Sequence, residues 1–280
     1  MKPQLLKATL AVVITLISCQ RPIPQVVTLS PLVYLPLVSN RLNDDRHGAG
    51  LVSGNCSILQ NFPLGWFYNW GFEFDEGTSA LCDSRYVDMW RANDQNLQTF
   101  YILGANEPDH SGPNGDNPTY APEQYIALWH SIEQAHPNQV LISPVPSQLS
   151  YGWMWDFIIR YRDAYGVSPR LNYFAVHFYY ASYQPYNAFE TFIESVHSQA
   201  VAEGYSGEIW VTEFCMWSGT TEQQVQWMKD KITWMSQQDY IKKWAWFAVR
   251  DNTYVPSCSL INPQTGQLTP LGIQYASWPW

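Results

Sequence analysis

Positive charge is scarce in this chain. Its 280 residues carry 15 lysines and arginines against 24 aspartates and glutamates, a formal net charge of −9. With no run of basic residues, nucleic acid and anionic lipid are poor fits as the main partner. Charged residues of both signs together reach only 14%. Zinc-type spacing is missing as well, since there is no CxxC and the six histidines are scattered. Asp109, Asp116 and Asn117 do not form a loop with calcium-ligand spacing. There is no internal repeat, and no low-complexity tract beyond a proline-rich stretch near the start. An apolar run, Ala8 to Ile17, is too short for a comfortable membrane span.

That run follows Met1-Lys2 and Lys7 and leads into Leu16-Ile17-Ser18-Cys19. The string resembles a bacterial lipobox, in which the cysteine becomes the lipidated first residue of the mature chain. An ordinary secretory signal containing a cysteine is the alternative, and both imply export. The expected layout is a signal peptide over 1–19, a proline-rich tether over 20–50 and one folded domain over 51–280. The expected location is extracellular or at the cell surface, as a membrane-anchored lipoprotein. For the tether, the alternative is that part of it packs as an extra strand at the base of the domain. Beyond Cys19 four cysteines remain, Cys56, Cys82, Cys215 and Cys258. Three pairings are open. Cys56–Cys82 and Cys215–Cys258 are expected, because each ties neighbouring loops.

Aromatic residues make up 16% of the chain, with 14 tryptophans. Some fill a core. The excess suits a cleft where the flat apolar faces of sugar rings stack on indoles and phenols. Seven short runs read as strands: Trp66–Trp70, Tyr86–Trp90, Phe100–Ala105, Val140–Ser143, Tyr173–Phe178, Ile209–Thr212 and Trp244–Ala248. Amphipathic stretches lie between them. One opens at Pro122 and aligns Tyr125, Leu128, Trp129 and Ile132 on a face. Another spans Trp153 to Tyr161, and a third carries Phe189, Phe192, Ile193 and Val196. A fourth starts with Thr221 and Gln224 as a capping box. Strand–helix alternation over this length implies a parallel sheet. A single small (β/α)8 TIM barrel is the economical closure, with its eighth strand near Phe72-Glu73-Phe74.

Glu107 in Asn106-Glu107-Pro108 and Glu213 in Thr212-Glu213-Phe214 each follow an apolar run. In a barrel the C-terminal strand ends surround the active site. Asn69, His177, Tyr179 and Trp246 also fall at or near such ends. A carboxylate there is costly without a partner. Either glutamate alone fits a salt-bridged rim residue as well as a functional one. Together they fit the acid and the nucleophile of retaining glycosidic cleavage, about 5–5.5 Å apart. At that spacing mutual repulsion keeps one proton on the pair. Neither a metal nor another cofactor is expected.

Leu103-Gly104-Ala105-Asn106-Glu107-Pro108-Asp109 resembles the acid/base strand of clan A glycoside hydrolases. Further segments extend the resemblance in order and spacing: Trp66-x-Tyr68-Asn69-Trp70-Gly71, Ser143-Pro144, Ala175–Tyr179, Ile209–Phe214, Trp244–Phe247 and Gly266-x-Leu268-Thr269-x-Leu271-Gly272. Over residues 64–275 the chain is similar to the glycosyl hydrolase catalytic core family, which includes glycoside hydrolase family 128. The resemblance implies an endo-acting β-1,3-glucanase on a β-glucan substrate. It makes Glu107 the general acid/base and Glu213 the nucleophile. Asn106 would bond the sugar 2-hydroxyl, and Asn69 would touch substrate. His177 and Tyr179 would hold the nucleophile ionised and oriented, and Trp246 would floor the reacting sugar. Asp109 is expected to cap the following loop. Trp66, Trp70, Trp90 and Trp217 are either sugar platforms or packing residues. The competing readings are a glycosidase on another β-linked polysaccharide and a non-catalytic polysaccharide-binding surface protein. A monomer is expected.

Overall fold

A computed structural model of the chain describes residues 45–52, 56–70, 85–90, 97–110 and 119–279. Within them eight strands follow one another: β1 (His47–Gly50), β2 (Trp66–Tyr68), β3 (Asp88–Met89), β4 (Tyr101–Leu103), β5 (Val140–Ile142), β6 (Phe174–Tyr180), β7 (Ile209–Met216) and β8 (Ile241–Trp246). Every pairing between them is parallel. One sheet has the order β2-β1-β8-β7-β6 and the other β3-β4-β5. Isolated parallel bridges, Phe67 with Tyr86 and Ile142 with Tyr173, join the two sheets. Neighbours therefore follow chain order and close on themselves, the barrel-like α/β arrangement that the alternation implies. Helices α1 (Pro122–Ala135), α2 (Gly152–Tyr165), α3 (Ala188–Ala202), α4 (Thr221–Ser236) and α5 (Pro270–Ala276) follow β4 to β8 in turn.

The strand that completes the ring is β1, which pairs with both β2 and β8. The sequence reading assigns this segment to the tether, because His47-Gly48-Ala49-Gly50 has no apolar run. Its glycines answer a packing demand instead. A Cβ on Gly48 would lie 2.3 Å from Trp66 Nε1, and one on Gly50 2.7 Å from the Trp70 ring. Only a bare backbone lets those indoles cross the neighbouring strand. The folded domain thus begins before residue 51. Phe72–Phe74 lies outside the described residues, as do residues 1–44 with the expected signal peptide and most of the tether.

Strand residues alternate between two layers. Trp66, Tyr68, Met89, Leu103, Ile142, Ala175, Trp210 and Ala245 pack together inside the ring. Phe67, Ile102, Leu141, Phe174, Val176, Val211, Trp244 and Trp246 face outward against the helices. The helices form where apolar spacing and caps coincide. Pro122 opens α1, Gln124 accepts from the Ala121 backbone at 2.9 Å, and Tyr125, Trp129 and Ile132 are buried. Helix α2 stops at Gly166, whose φ of 71° is the left-handed conformation glycine adopts freely. Helix α3 buries Phe189, Ile193 and Val196. The capping pair of α4 is Thr220 with Gln223, one residue earlier than the spacing suggests. Gln224 turns inward instead and donates to the Met216 carbonyl at 2.8 Å.

Cys215 in β7 and Cys258 in the loop after β8 form a disulfide with a Cα–Cα distance of 6.1 Å. The other expected partner, Cys82, lies outside the described residues. Gly104, just past β4, shows how closely the strand ends approach: a Cβ there would lie 2.4 Å from the Pro144 nitrogen. Gly104→Ala is therefore expected to push the ends of β4 and β5 apart and cost roughly 1–3 kcal/mol in urea unfolding. A change within about 0.5 kcal/mol would contradict that reading.

Candidate active site

The two glutamates meet at the C-terminal ends of the strands, through local departures from regular strand geometry. On β7, Trp210 faces the interior, so strict alternation would send Glu213 outward. The β6–β7 register instead jumps from Val176–Val211 to His177–Glu213, leaving Thr212 as an extra residue. Such a bulge re-aims the side chains beyond it, and Glu213 comes to lie beside His177. Ala175, His177 and Tyr179 alternate inward on β6. Past β4, Asn106 bridges to Val145, and the Glu107 N–H donates to the Val145 carbonyl at 2.8 Å. Among the described residues, the non-glycine positions with positive φ are Trp70 (62°) and Glu107 (43°). Both belong to this site, where backbone strain tends to concentrate.

Glu213 sits in a cage of donors. Its Oε1 accepts from Trp70 Nε1 at 2.7 Å and lies 3.3 Å from the Tyr68 hydroxyl, which donates to the Thr212 carbonyl at 2.8 Å. Its Oε2 accepts from the Tyr179 hydroxyl and lies 3.5 Å from His177 Nδ1. Glu107 Oε1 lies 3.1 Å from the same Nδ1. One oxygen of each carboxyl and the imidazole nitrogen all fall within 4.8 Å of one another. That is close to the separation of a retaining pair, about 5–5.5 Å, and far from an inverting one. Among the described residues, this trio is the group whose atoms approach closely enough to hold a metal ion. Yet both Glu213 oxygens already face N–H and O–H donors, which suits an anion held by hydrogen bonds rather than a metal ligand.

Burial is the largest influence on Glu213 and holds its carboxyl above the ordinary value near 4.5. His177 pulls the other way, Glu107 adds to the rise, and the Tyr179 and Trp70 hydrogen bonds favour the anion. Burial alone would lower His177. The charges of Glu213 and Glu107, with the hydrogen bond to Glu107, outweigh it and raise the imidazole above its usual range. Burial and then Glu213 push the Tyr68 and Tyr179 phenols far up, so both remain protonated donors.

A cleft of about 670 Å³ opens over this cage, lined by Asn69, Trp70, Asn106, Glu107, Tyr179, Glu213 and Phe247, with Trp217 and Tyr254 further out. Asn69 accepts from the Tyr86 hydroxyl at 2.5 Å. The structure thus brings together Asn69, Asn106, Glu107, Tyr179 and Glu213, with His177 fully buried behind the pair. Trp246 is not part of it. Ala245 faces inward, so Trp246 faces out. Its indole is fully buried, donates to the Cys258 carbonyl at 2.7 Å and packs on Phe214 and Tyr275. Phe247, one residue on, reaches the cleft in its place. Trp66 and Trp90 are packing residues, whereas Trp70 and Trp217 line the cleft. Asp109 holds the loop after β5, accepting from Ser147 N at 2.8 Å and Ser147 Oγ at 2.5 Å. The sequence reading misses Tyr68. Its signal was the alternation Trp66, Tyr68, Trp70, which puts all three on one face of β2.

The family profile described as glycosyl hydrolase catalytic core matches residues 50–275. No curated protein matches the chain. Solved structures similar to it include a curdlan-specific exo-β-1,3-glucanase of family 128, subgroup III, from Blastomyces gilchristii, in complex with glucose. It has a TM-score of 0.66 and 23% identity, and the match covers 84% of this chain and 99% of that one. A subgroup II endo-β-1,3-glucanase from Pseudomonas viridiflava gives 0.64 and 24%, over 84% and 98%. A subgroup VII oligosaccharide-binding protein from Cryptococcus neoformans gives 0.63 and 20%, over 84% and 93%. At these identities the likeness shows the fold.

The raised carboxyl of Glu213 carries a consequence for stability. A folded-state pKa above the unfolded one means that the folded chain binds more protons. Stability is then lost as pH rises from the ordinary carboxylate range through the folded value. Glu213→Gln removes that loss. The variant is expected to match the unaltered protein in thermal melts near about pH 4 and to melt higher near about pH 7. A parallel pH dependence in the two proteins would contradict the buried-anion picture.

Proposed function

The chain belongs to the glycosyl hydrolase catalytic core family, and from that premise we propose that it is a retaining endo-β-1,3-glucanase acting on β-glucan by double displacement. Glu107 is the general acid/base and Glu213 the nucleophile. The observation that carries this assignment is the asymmetry of the pair. Trp70 and Tyr179 donate to Glu213, one to each oxygen, and the Tyr68 hydroxyl, which donates to the Thr212 carbonyl at 2.8 Å, lies 3.3 Å from Oε1. The Glu107 carboxyl meets His177 through one oxygen. Donors favour the ionised form of the group they face and offset part of the burial that raises the Glu213 carboxyl, so Glu213 is the better equipped of the two to act as the anionic nucleophile.

In the first step a Glu213 oxygen attacks the anomeric carbon while Glu107 protonates the departing glycosidic oxygen. Esterified Glu213 has lost its charge, so Glu107 can remain ionised and take a proton from the attacking water. Asn106 and Asn69, both on the cleft wall, are placed to bond sugar hydroxyls. The neighbours named β-1,3-glucanases support the substrate class. The one named an oligosaccharide-binding protein keeps a binding-only reading in view. Sugar binding alone does not call for two carboxyls this close, one of them caged. Export, with residues 1–19 as signal peptide and Cys19 as lipid anchor, belongs to the same proposal. The Cys215–Cys258 disulfide supports an oxidising compartment.

The test is reducing-sugar release by the full chain from a linear β-1,3-glucan, beside cellulose, mixed-linkage glucan and xylan. Release from the β-1,3-glucan is expected, with Glu107→Gln slower by about 10²–10⁴-fold. Release from another polymer alone would move the substrate and keep the mechanism. Binding without release from any polymer would favour the binding protein.

A further inference from the structure

We propose that His177 acts on the acid/base rather than on the nucleophile: its Nδ1–H donates to Oε1 of Glu107, fixes that atom as the carbonyl oxygen, and leaves the acid proton on Oε2. The proposal rests on the catalytic reading above and departs from the role implied by the family resemblance, in which His177 serves Glu213.

Distance is the first ground. Nδ1 is 3.1 Å from Glu107 Oε1 and 3.5 Å from Glu213 Oε2. Only the shorter lies within the usual range of an N–H···O hydrogen bond. Need is the second. Both Glu213 oxygens have other donors, Trp70 on Oε1 and Tyr179 on Oε2. Among the described residues, His177 is the partner of the Glu107 carboxyl, through Oε1. The third ground is the far side of the ring. Among the described residues, His177 Nε2 is buried with no hydrogen-bond partner. A proton there would be an orphaned donor, whereas one on Nδ1 has a carboxyl oxygen to meet. The remaining titratable groups around His177 do not compete for Nδ1. Asp109 is engaged by Ser147, the Tyr179 hydroxyl donates to Glu213, and the Tyr68 hydroxyl donates to the Thr212 carbonyl at 2.8 Å, with Glu213 at 3.3 Å.

A protonated carboxyl has one O–H and one acceptor oxygen. If Oε1 accepts from Nδ1–H, a proton on Oε1 would crowd that hydrogen, so the acid proton resides on Oε2. As the bond from the anomeric carbon to the leaving oxygen breaks, its electron pair stays with that oxygen, which takes the proton from Oε2. A Glu213 oxygen forms the new bond to carbon. In the second step water adds to the carbon, its proton goes to Oε2, and the ester to Glu213 breaks. The Nδ1 proton stays on His177 throughout. His177 is thus a positioning residue, and its influence is confined to proton delivery.

That confinement has a readout that a merely structural role would not move. Leaving groups that depart without protonation should be less sensitive to His177 than those that need it. The experiment compares kcat/KM for aryl β-1,3-gluco-oligosaccharides bearing 2,4-dinitrophenol or unsubstituted phenol, using the full chain, His177→Phe, His177→Gln and Tyr179→Phe. His177→Phe is expected to lose at least about tenfold more on the phenyl substrate than on the dinitrophenyl one. His177→Gln, whose amide N–H can donate to the same oxygen, should recover part of the difference. Tyr179→Phe, acting on the nucleophile, should lose equally on both. Should His177→Phe fail to fold, the His177→Gln and Tyr179→Phe pair carries the same comparison. Equal losses on the two leaving groups for the His177 variants overturn the proposal alone. No phenol release by the unaltered protein from either substrate overturns the catalytic reading and the proposal with it.

Discussion

Two carboxyl groups held within 4.8 Å of each other, one of them caged, are the constraint around which the upper half of this barrel is organised. Bringing such groups together out of water is unfavourable through both desolvation and repulsion. The chain offsets this with neutral donors on rigid strands. Tyr68 and Trp70 come from β2 and its end, and Tyr179 from β6, while His177 lies between the two acids. No lysine or arginine contributes to the shifts of either Glu213 or His177. The pair is therefore surrounded by N–H and O–H donors rather than by a lysine or arginine, and His177 is the ionisable side chain that reaches both acids.

The lower half of the barrel supplies the rigidity. Trp66 stacks on Tyr68 with ring centroids 5.8 Å apart and meets Trp210 at 5.0 Å. Tyr101 and Tyr173 close on Trp210 from the other strands at 5.2 and 5.6 Å. This aromatic plug fills the interior directly beneath the site, so the donor side chains above it have little room to shift. Outside the ring, the Cys215–Cys258 disulfide and the Trp246–Cys258 hydrogen bond tie the end of β7 to the loop that carries Tyr254 and Val255 to the cleft wall. Strain is tolerated where the surroundings over-determine it, and the left-handed Glu107 and Trp70 are such positions.

Much of this was legible in the sequence, for definite reasons. The strand–helix alternation marked the parallel architecture, and apolar runs ending in glutamate marked both acids. What stayed hidden depended on the third dimension. β1 is two glycines, a histidine and an alanine, so neither propensity nor periodicity reveals it; its composition is set by Trp66 and Trp70 of the adjoining strand. The Trp246 expectation failed by one residue. The aromatic run Trp244-Ala245-Trp246-Phe247 does not announce its inward parity, and that parity belongs to Ala245. Glu213 lines the cleft although strict alternation points it the other way, because of a bulge at Thr212 that is invisible without the partner strand. Tyr68 could have been found from its parity with Trp66 and Trp70.

The central claim is that Glu107 and Glu213 form a retaining pair. Its most direct test is the anomeric configuration of the first product, followed by proton NMR during early hydrolysis of a β-1,3-gluco-oligosaccharide, before mutarotation. Initial appearance of the β-anomer, with the α-anomer rising only later, is the result expected of carboxyls this close. Initial appearance of the α-anomer would mean that water attacks directly, and the assignment of Glu213 as nucleophile would fall.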